Sequence, residues 1–179
     1  KIKFAQEFCF NVILEDAENV INAGLLDYCK LLRIDFRTLD VIMEEITDEE
    51  QRVAVNKLVA EGTLKICSLT GEQVAKVYEK ISLYEGICNL SPEDISVMVY
   101  AIDNKCRLLT GDKTLRDKAS LENIMVSGIL YLTDMLTQNQ VVNPNQMIHA
   151  LEHLLKSNGR LPKNLIRERI EGLRTKVNR

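Results

Sequence analysis

The chain has 179 residues, of which 46% are hydrophobic and 27% charged, as expected of a globular protein with one sizeable core. No apolar run approaches the roughly 18–20 residues that a membrane span requires. Glu7 interrupts the N-terminal segment where the apolar stretch of a signal peptide would begin. The five cysteines are odd in number and scattered, without a Cys-x-x-Cys pair, which favours free thiols and hence a reducing compartment. We therefore expect a cytoplasmic protein, or one whose leader has been removed.

The net charge of −3 is unevenly distributed along the chain. From Lys156 onwards eight Lys or Arg face two Glu, a net charge of +6, so the remainder carries −9. This asymmetry indicates an acidic site beside a basic tail that holds a phosphate backbone or an acidic partner. A solvated basic helix without a ligand explains the charge equally well.

Residues 8–126 alternate between strand and helix patterns. Apolar runs predict strands over 8–14, 34–36, 63–69 and 106–110, and a fifth strand, at the sheet edge, over 123–126. Helices are predicted from about residue 17 to 32, from a Thr38 cap to 46, from a Thr47–Glu50 capping box to 61, and over 71–84, 92–104 and 113–119.

This alternation predicts a parallel sheet between helices, that is, a three-layer α/β/α fold with four to five strands. The strands are continuous apolar runs, as in sheets buried on both faces. After Gly128 the pattern is helical throughout, over 129–137, 144–156 and 162–173. We therefore expect an α/β domain over 1–128 and a helical extension over 129–179, with the basic tail beginning at 156.

Four carboxylates stand at element ends: Asp16 after the first strand, Glu45 on the helix after the second, Asp94 at the helix start before the fourth, and Asp112 after the fourth. Each has a structural explanation, because Asp112, Asp94 and Asp16 suit helix starts and Glu45 suits a solvated face. Asp94 shares a helical stripe with the apolar Met98 and Ala101, however, which favours a position at the top of a buried face.

Together the four carboxylates predict a metal site. In a parallel sheet these element ends meet at one edge, where open α/β folds place their ligands. Converging carboxylates repel one another unless a cation neutralises them. An all-carboxylate set without Cys or His suits Mg²⁺ or Mn²⁺.

The order of these motifs resembles the PIN-domain nucleases, particularly the VapC-type toxin ribonucleases of toxin–antitoxin modules. The matching segments are 41–46, 91–101 and 106–119, and the last, with Thr110-Gly111-Asp112 after an apolar strand, is the most specific. The resemblance covers roughly residues 8–173. The first motif differs, since Asp16-Ala17-Glu18-Asn19 carries one residue more than the family pattern, and Glu18 is an alternative to Asp16.

The resemblance implies metal-dependent cleavage of RNA, with Asp16, Glu45, Asp94 and Asp112 holding Mg²⁺ or Mn²⁺. It implies that Thr110 orients a ligand or water, and that Lys113, Arg116 and the basic tail hold phosphate. It also implies a homodimer, silenced by a cognate antitoxin.

Two other functions fit the acidic strand ends. A phosphate-accepting receiver domain also places acids around Mg²⁺, but it needs an acceptor Asp after a middle strand, where this chain has Ser68-Leu69-Thr70. A degenerate PIN-like domain would keep the fold and bind protein or RNA without catalysis.

Overall fold

The computed structural model describes residues 11–14, 24–32, 34–157 and 161–177. Five parallel strands form one sheet in the order β3-β2-β1-β4-β5. The strands are β1 (Asn11–Leu14), β2 (Asp35–Leu39), β3 (Leu64–Cys67), β4 (Arg107–Leu109) and β5 (Val126–Ser127). The predicted parallel sheet is confirmed, and its fifth strand lies at an edge.

Helices connect the strands and follow the sheet. They are α1 (Leu26–Cys29), α2 (Asp40–Glu45), α3 (Glu49–Ala60), α4 (Gly71–Tyr84), α5 (Pro92–Asn104), α6 (Lys113–Leu121), α7 (Ile129–Gln138), α8 (Pro144–Ser157) and α9 (Lys163–Val177). The bounds of α4 and α5 are those predicted from the sequence. No helix in the described ranges is long and apolar enough to cross a membrane.

The two faces of the sheet carry different hydrophobic clusters, because side chains alternate along each strand. Val12 and Leu14 belong to a cluster that includes residues of α3 and α7–α9, whereas Ile13 belongs to a cluster with residues of α5 and α6. Helices therefore cover both faces, which confirms the three-layer α/β/α fold.

Helices α7–α9 share their core with the sheet. Leu136, Leu151 and Ile166 are fully buried and lie in the same hydrophobic cluster as Val12 and Leu14. The C-terminal helices thus pack on the α/β layers, while the domain boundary at residue 128 stays a prediction.

Two predicted helix caps are wrong. Thr38 does not cap a helix but lies within β2, fully buried, and its hydroxyl donates to the Leu14 carbonyl at 3.0 Å. This bond joins β2 to the last residue of β1. Strand β2 continues through Thr38 and ends at Leu39. The cap of α3 is Asp48 rather than Thr47, since Asp48 accepts from the Gln51 N–H at 2.9 Å.

The strand order creates a crevice between the carboxyl ends of β1 and β4. From β1 the chain continues to β2 on one side, and from β4 it continues to β5 on the other. Such a switch point is where open α/β sheets bind their ligands. The fold therefore places the last residues of β1 and β4, Leu14 and Leu109, side by side.

Replacing Thr38 with Val should destabilise the fold by about 1–2 kcal/mol, because a buried hydrogen bond to the end of β1 is lost while the side-chain shape is kept. Urea unfolding measures the difference. Thr47→Val, at an exposed threonine, is the matched control, and an equal loss in both variants would contradict a special role for Thr38.

Candidate functional site

Asp112 lies directly after β4 and is the N-cap of α6. Its Oδ1 accepts from the Leu115 N–H at 2.7 Å. The hydroxyl of Thr110, which is fully buried, accepts from the Asp112 N–H at 2.9 Å. Thr110 thus fixes the turn that carries Asp112, and the carboxylate keeps Oδ2 outside this cap.

Asp94 is held by a capping box at the start of α5. Its Oδ2 accepts from the Ser91 N–H at 2.9 Å, and the Ser91 hydroxyl accepts from the Asp94 N–H at 3.0 Å. Residues 95–101 of the helix are all buried, with Met98 at 0% and Ala101 at 2% exposure. This burial fixes the helix start, so Asp94 sits at the top of a buried face as predicted.

Glu45 is the last residue of α2, and the negative charges of Glu93 and Asp94 at the start of α5 act on it. The residue is exposed overall, but partial burial of its carboxyl group raises its pKa, and the charges of Glu93 and Asp94 raise it further. Burial is also the main cause that raises the pKa of Asp94, with Asp112 and Glu93 adding to it against the Ser91 hydrogen bonds. The structure therefore places Asp94 within electrostatic reach of both Glu45 and Asp112.

No basic side chain neutralises this group in the part of the chain that the structure describes. None of the ion pairs there involves Glu45, Glu93, Asp94 or Asp112. Mutual repulsion without a counter-charge is what a cation site shows before its cation binds.

The described residues do not by themselves complete a three-ligand metal site. Among them, no three His, Cys, Asp or Glu side chains are close enough to hold one ion. Asp16, the predicted ligand after β1, and its alternative Glu18 lie outside the described residues. The donor chemistry nevertheless fits Mg²⁺, which takes one or two carboxylates and completes its shell with water and phosphate.

The two predicted phosphate-binding cations differ in placement. Arg116 turns back to the strand end, with its guanidinium 3.3 Å from the Gly111 carbonyl oxygen. Lys113 is highly exposed and pairs with Asp117 along α6 at 3.3 Å. Of the two, Arg116 lies beside the turn that carries Asp112.

Comparison with known proteins agrees with this fold. The family profile described as PIN domain matches residues 19–175. The chain belongs to the PIN domain family. Endoribonuclease Nob1 of Methanocaldococcus jannaschii is 33% identical to this PIN domain over 94 residues, which are 52% of this chain and 46% of that protein. The match thus spans about half of the relative's length.

Glu93 is a member of the acidic group that the sequence did not indicate as a site residue. In this PIN domain Glu93 is only partly exposed, and its charge raises the pKa of Glu45 more than the charge of Asp94 does. Its position beside Asp94 was the available signal, but the approach of α2 to the start of α5 is a tertiary contact that the sequence pattern does not contain.

Part of the basic tail is used within the fold. Arg169 binds Asp134 of α7 through two hydrogen bonds of 2.8 and 2.6 Å, and Arg174 binds Glu152 of α8 at 2.8 Å. These pairs attach α9 to its neighbours. Fewer positive charges therefore remain for a phosphate backbone than the net charge of the segment suggests.

Glu45→Gln should give the metal-free protein a stability advantage that grows with pH. In the unfolded chain Glu45 loses its proton near the ordinary pKa of about 4.3, but in the folded chain only at higher pH. As the pH rises through that interval, ionisation of Glu45 increasingly lowers the free energy of unfolding. Above the interval this loss of stability is constant.

Urea unfolding in EDTA, from about pH 4 to pH 7, measures this advantage. Glu44→Gln, at the exposed neighbouring position, is the control for loss of one negative charge. A difference between Glu45→Gln and wild type that does not change with pH would contradict the electrostatic picture of the site.

Proposed function

We propose that this PIN domain is a metal-dependent endoribonuclease. The observation that carries the proposal is that Asp94 lies within electrostatic reach both of Glu45 and of Asp112, which follows β4 at the sheet switch point. The pKa values of Glu45 and Asp94 are raised, and no basic side chain in the described ranges neutralises them. Membership of the PIN domain family and the match to a protein named as an endoribonuclease support the same activity.

Asp94 and Asp112, with Glu45 and with Asp16 or Glu18 after β1, would hold Mg²⁺ or Mn²⁺. The bonds within the two helix caps involve only one oxygen of each aspartate, Oδ2 of Asp94 and Oδ1 of Asp112, so the other oxygen is available. A cation bound there supplies an activated water and stabilises the charge that develops on the phosphate.

The chain's own residues position these groups. Ser91 fixes the rotamer of Asp94 through the capping box, and Thr110 holds the backbone of Asp112. Arg116 binds the substrate phosphate from the side of the Gly111 carbonyl, and Lys113 adds a mobile positive charge on the exposed face of α6. The cationic side chains thus act on RNA, whereas the carboxylates act on the cation.

The proposal includes the role of a toxin in a type II toxin–antitoxin module, with a cognate antitoxin, a homodimeric state and a cytoplasmic location. The resemblance of residues 106–119 to VapC-type toxins supports this role. In such a module the acidic crevice cleaves RNA once the antitoxin is removed.

A second candidate is a PIN domain that binds protein or RNA without cleaving it. The observation in its favour is that the described residues form no three-ligand metal group. Metal binding by the free protein separates the two candidates.

Asp94→Asn and Asp112→Asn should each lower Mn²⁺-dependent RNA cleavage by about 100-fold or more, since each removes a negative charge that holds the cation beside the reacting phosphate. Both variants should stay folded, because Asn also serves in helix caps. Cleavage of a labelled single-stranded RNA measures the rate. Mn²⁺ should raise the unfolding temperature of the wild type and much less that of the variants.

Asp117→Asn, on the exposed surface of α6, is the matched control and should cleave like the wild type. Retained cleavage in both site variants would overturn the site. A wild-type protein that neither cleaves RNA nor is stabilised by Mn²⁺ would establish the binding-module alternative.

Arg116→Ala should weaken RNA binding and lower the slope of log K against log salt by about 1, because one phosphate contact is lost. Fluorescence anisotropy in EDTA at several salt concentrations measures the slope. Lys30→Ala, at an exposed lysine following α1, should leave it unchanged. An unchanged slope in Arg116→Ala would exclude contact between Arg116 and the phosphate backbone of the RNA.

A further inference from the structure

A groove of about 240 Å³ opens between α7, α8 and α9, on residues that the nuclease proposal does not use. Its floor consists of Met147, Leu151 and Leu173, which are 1%, 0% and 7% exposed. Thr133 and Thr137 line one wall, and the hydroxyl of each donates a hydrogen bond to a backbone carbonyl of the same helix. The groove is thus an apolar slot with few polar groups of its own.

Of the two cationic side chains that line the groove, one is paired with an acid and the other has no such pair within the described ranges. Arg169 lines it but is balanced by Asp134 through two hydrogen bonds. Lys176 also lines it, is exposed, and has no ion-pair partner among residues whose placement is described. The groove therefore carries one unbalanced positive charge, in a segment whose net charge is +6.

Gly172 lies on α9 and lines the groove, where the fold does not need a glycine. Its φ is not positive, and a Cβ added there would meet no atom within 4 Å. Glycine inside a helix is less stable than alanine. The missing side chain instead leaves open space in the groove at this point of α9.

We propose that this groove binds an acidic amphipathic segment of a partner protein, which inserts an apolar side chain over Gly172 and places a carboxylate against Lys176. The volume is below the roughly 300 Å³ at which small-molecule sites begin, and it suits one or two side chains. RNA is disfavoured as the occupant, since no lining residue is aromatic and only one cation is unbalanced.

The probe is a fluorescein-labelled helical peptide of about 15 residues, with Leu along one face and Glu elsewhere, as in helix-in-groove recognition. We expect it to bind the wild type, whereas the same peptide with Lys in place of Glu should not. Lys176→Glu should weaken binding about tenfold or more through like-charge repulsion.

Gly172→Ala separates binding from stability. It should raise the unfolding temperature by about 2–4 °C, because helix propensity improves without a clash. It should also weaken peptide binding about tenfold, since the methyl group enters the groove. Gly71→Ala, where an added Cβ likewise meets nothing within 4 Å, should leave binding unchanged, and so should Lys163→Glu at the far end of α9.

Four results would overturn the proposal: no binding to the wild type, equal binding by Gly172→Ala, binding of the lysine peptide or of single-stranded RNA at this groove instead, or self-association of the chain that Gly172→Ala abolishes. None of these depends on RNA cleavage. Failure here and failure of the nuclease function are therefore distinguishable.

Discussion

The parallel pairing of β1 with β4 is the interaction on which the rest of the structure depends. Ile13 lies opposite Leu108, and both are fully buried. This pairing joins segments that are far apart in sequence and makes β1 the central strand of the sheet. Because β1 continues to one side and β4 to the other, their carboxyl ends leave a crevice beside the turn that carries Asp112.

The surrounding packing keeps Asp94 near Asp112 despite the repulsion between their negative charges. Asp94 cannot move away from Asp112, because it caps a helix whose residues 95–101 are buried between the sheet and α4. Asp112 is likewise held by the turn at Thr110. Packing energy thus keeps Asp94 where burial and the neighbouring negative charges raise its pKa, as at sites organised for cation or proton chemistry rather than for stability alone.

The C-terminal helices complete the core and bear the basic charge. Their apolar faces join the cluster that contains Val12 and Leu14, and Arg169 and Arg174 bind acids of α7 and α8. Two of the eight positive charges of the segment therefore have a structural role. Lys176 and the open groove at Gly172 are the features of α9 that this packing leaves unused.

The amino-acid sequence by itself determined the elements with strong local signals. Ser91 and Pro92 start a helix at the predicted residue because hydroxyl capping and a fixed proline φ act within one turn. The cap of α3 was misplaced by one residue because Thr47 and Asp48 offer overlapping local signals, and Thr38 was misassigned because its bond to Leu14 is tertiary. Only the tertiary structure decided that Glu93 joins the acidic group, and that Arg169 pairs with Asp134 instead of remaining free. Local hydrogen bonding and periodicity are encoded over a few neighbouring residues, whereas the meeting of distant charges depends on how whole helices pack on the sheet.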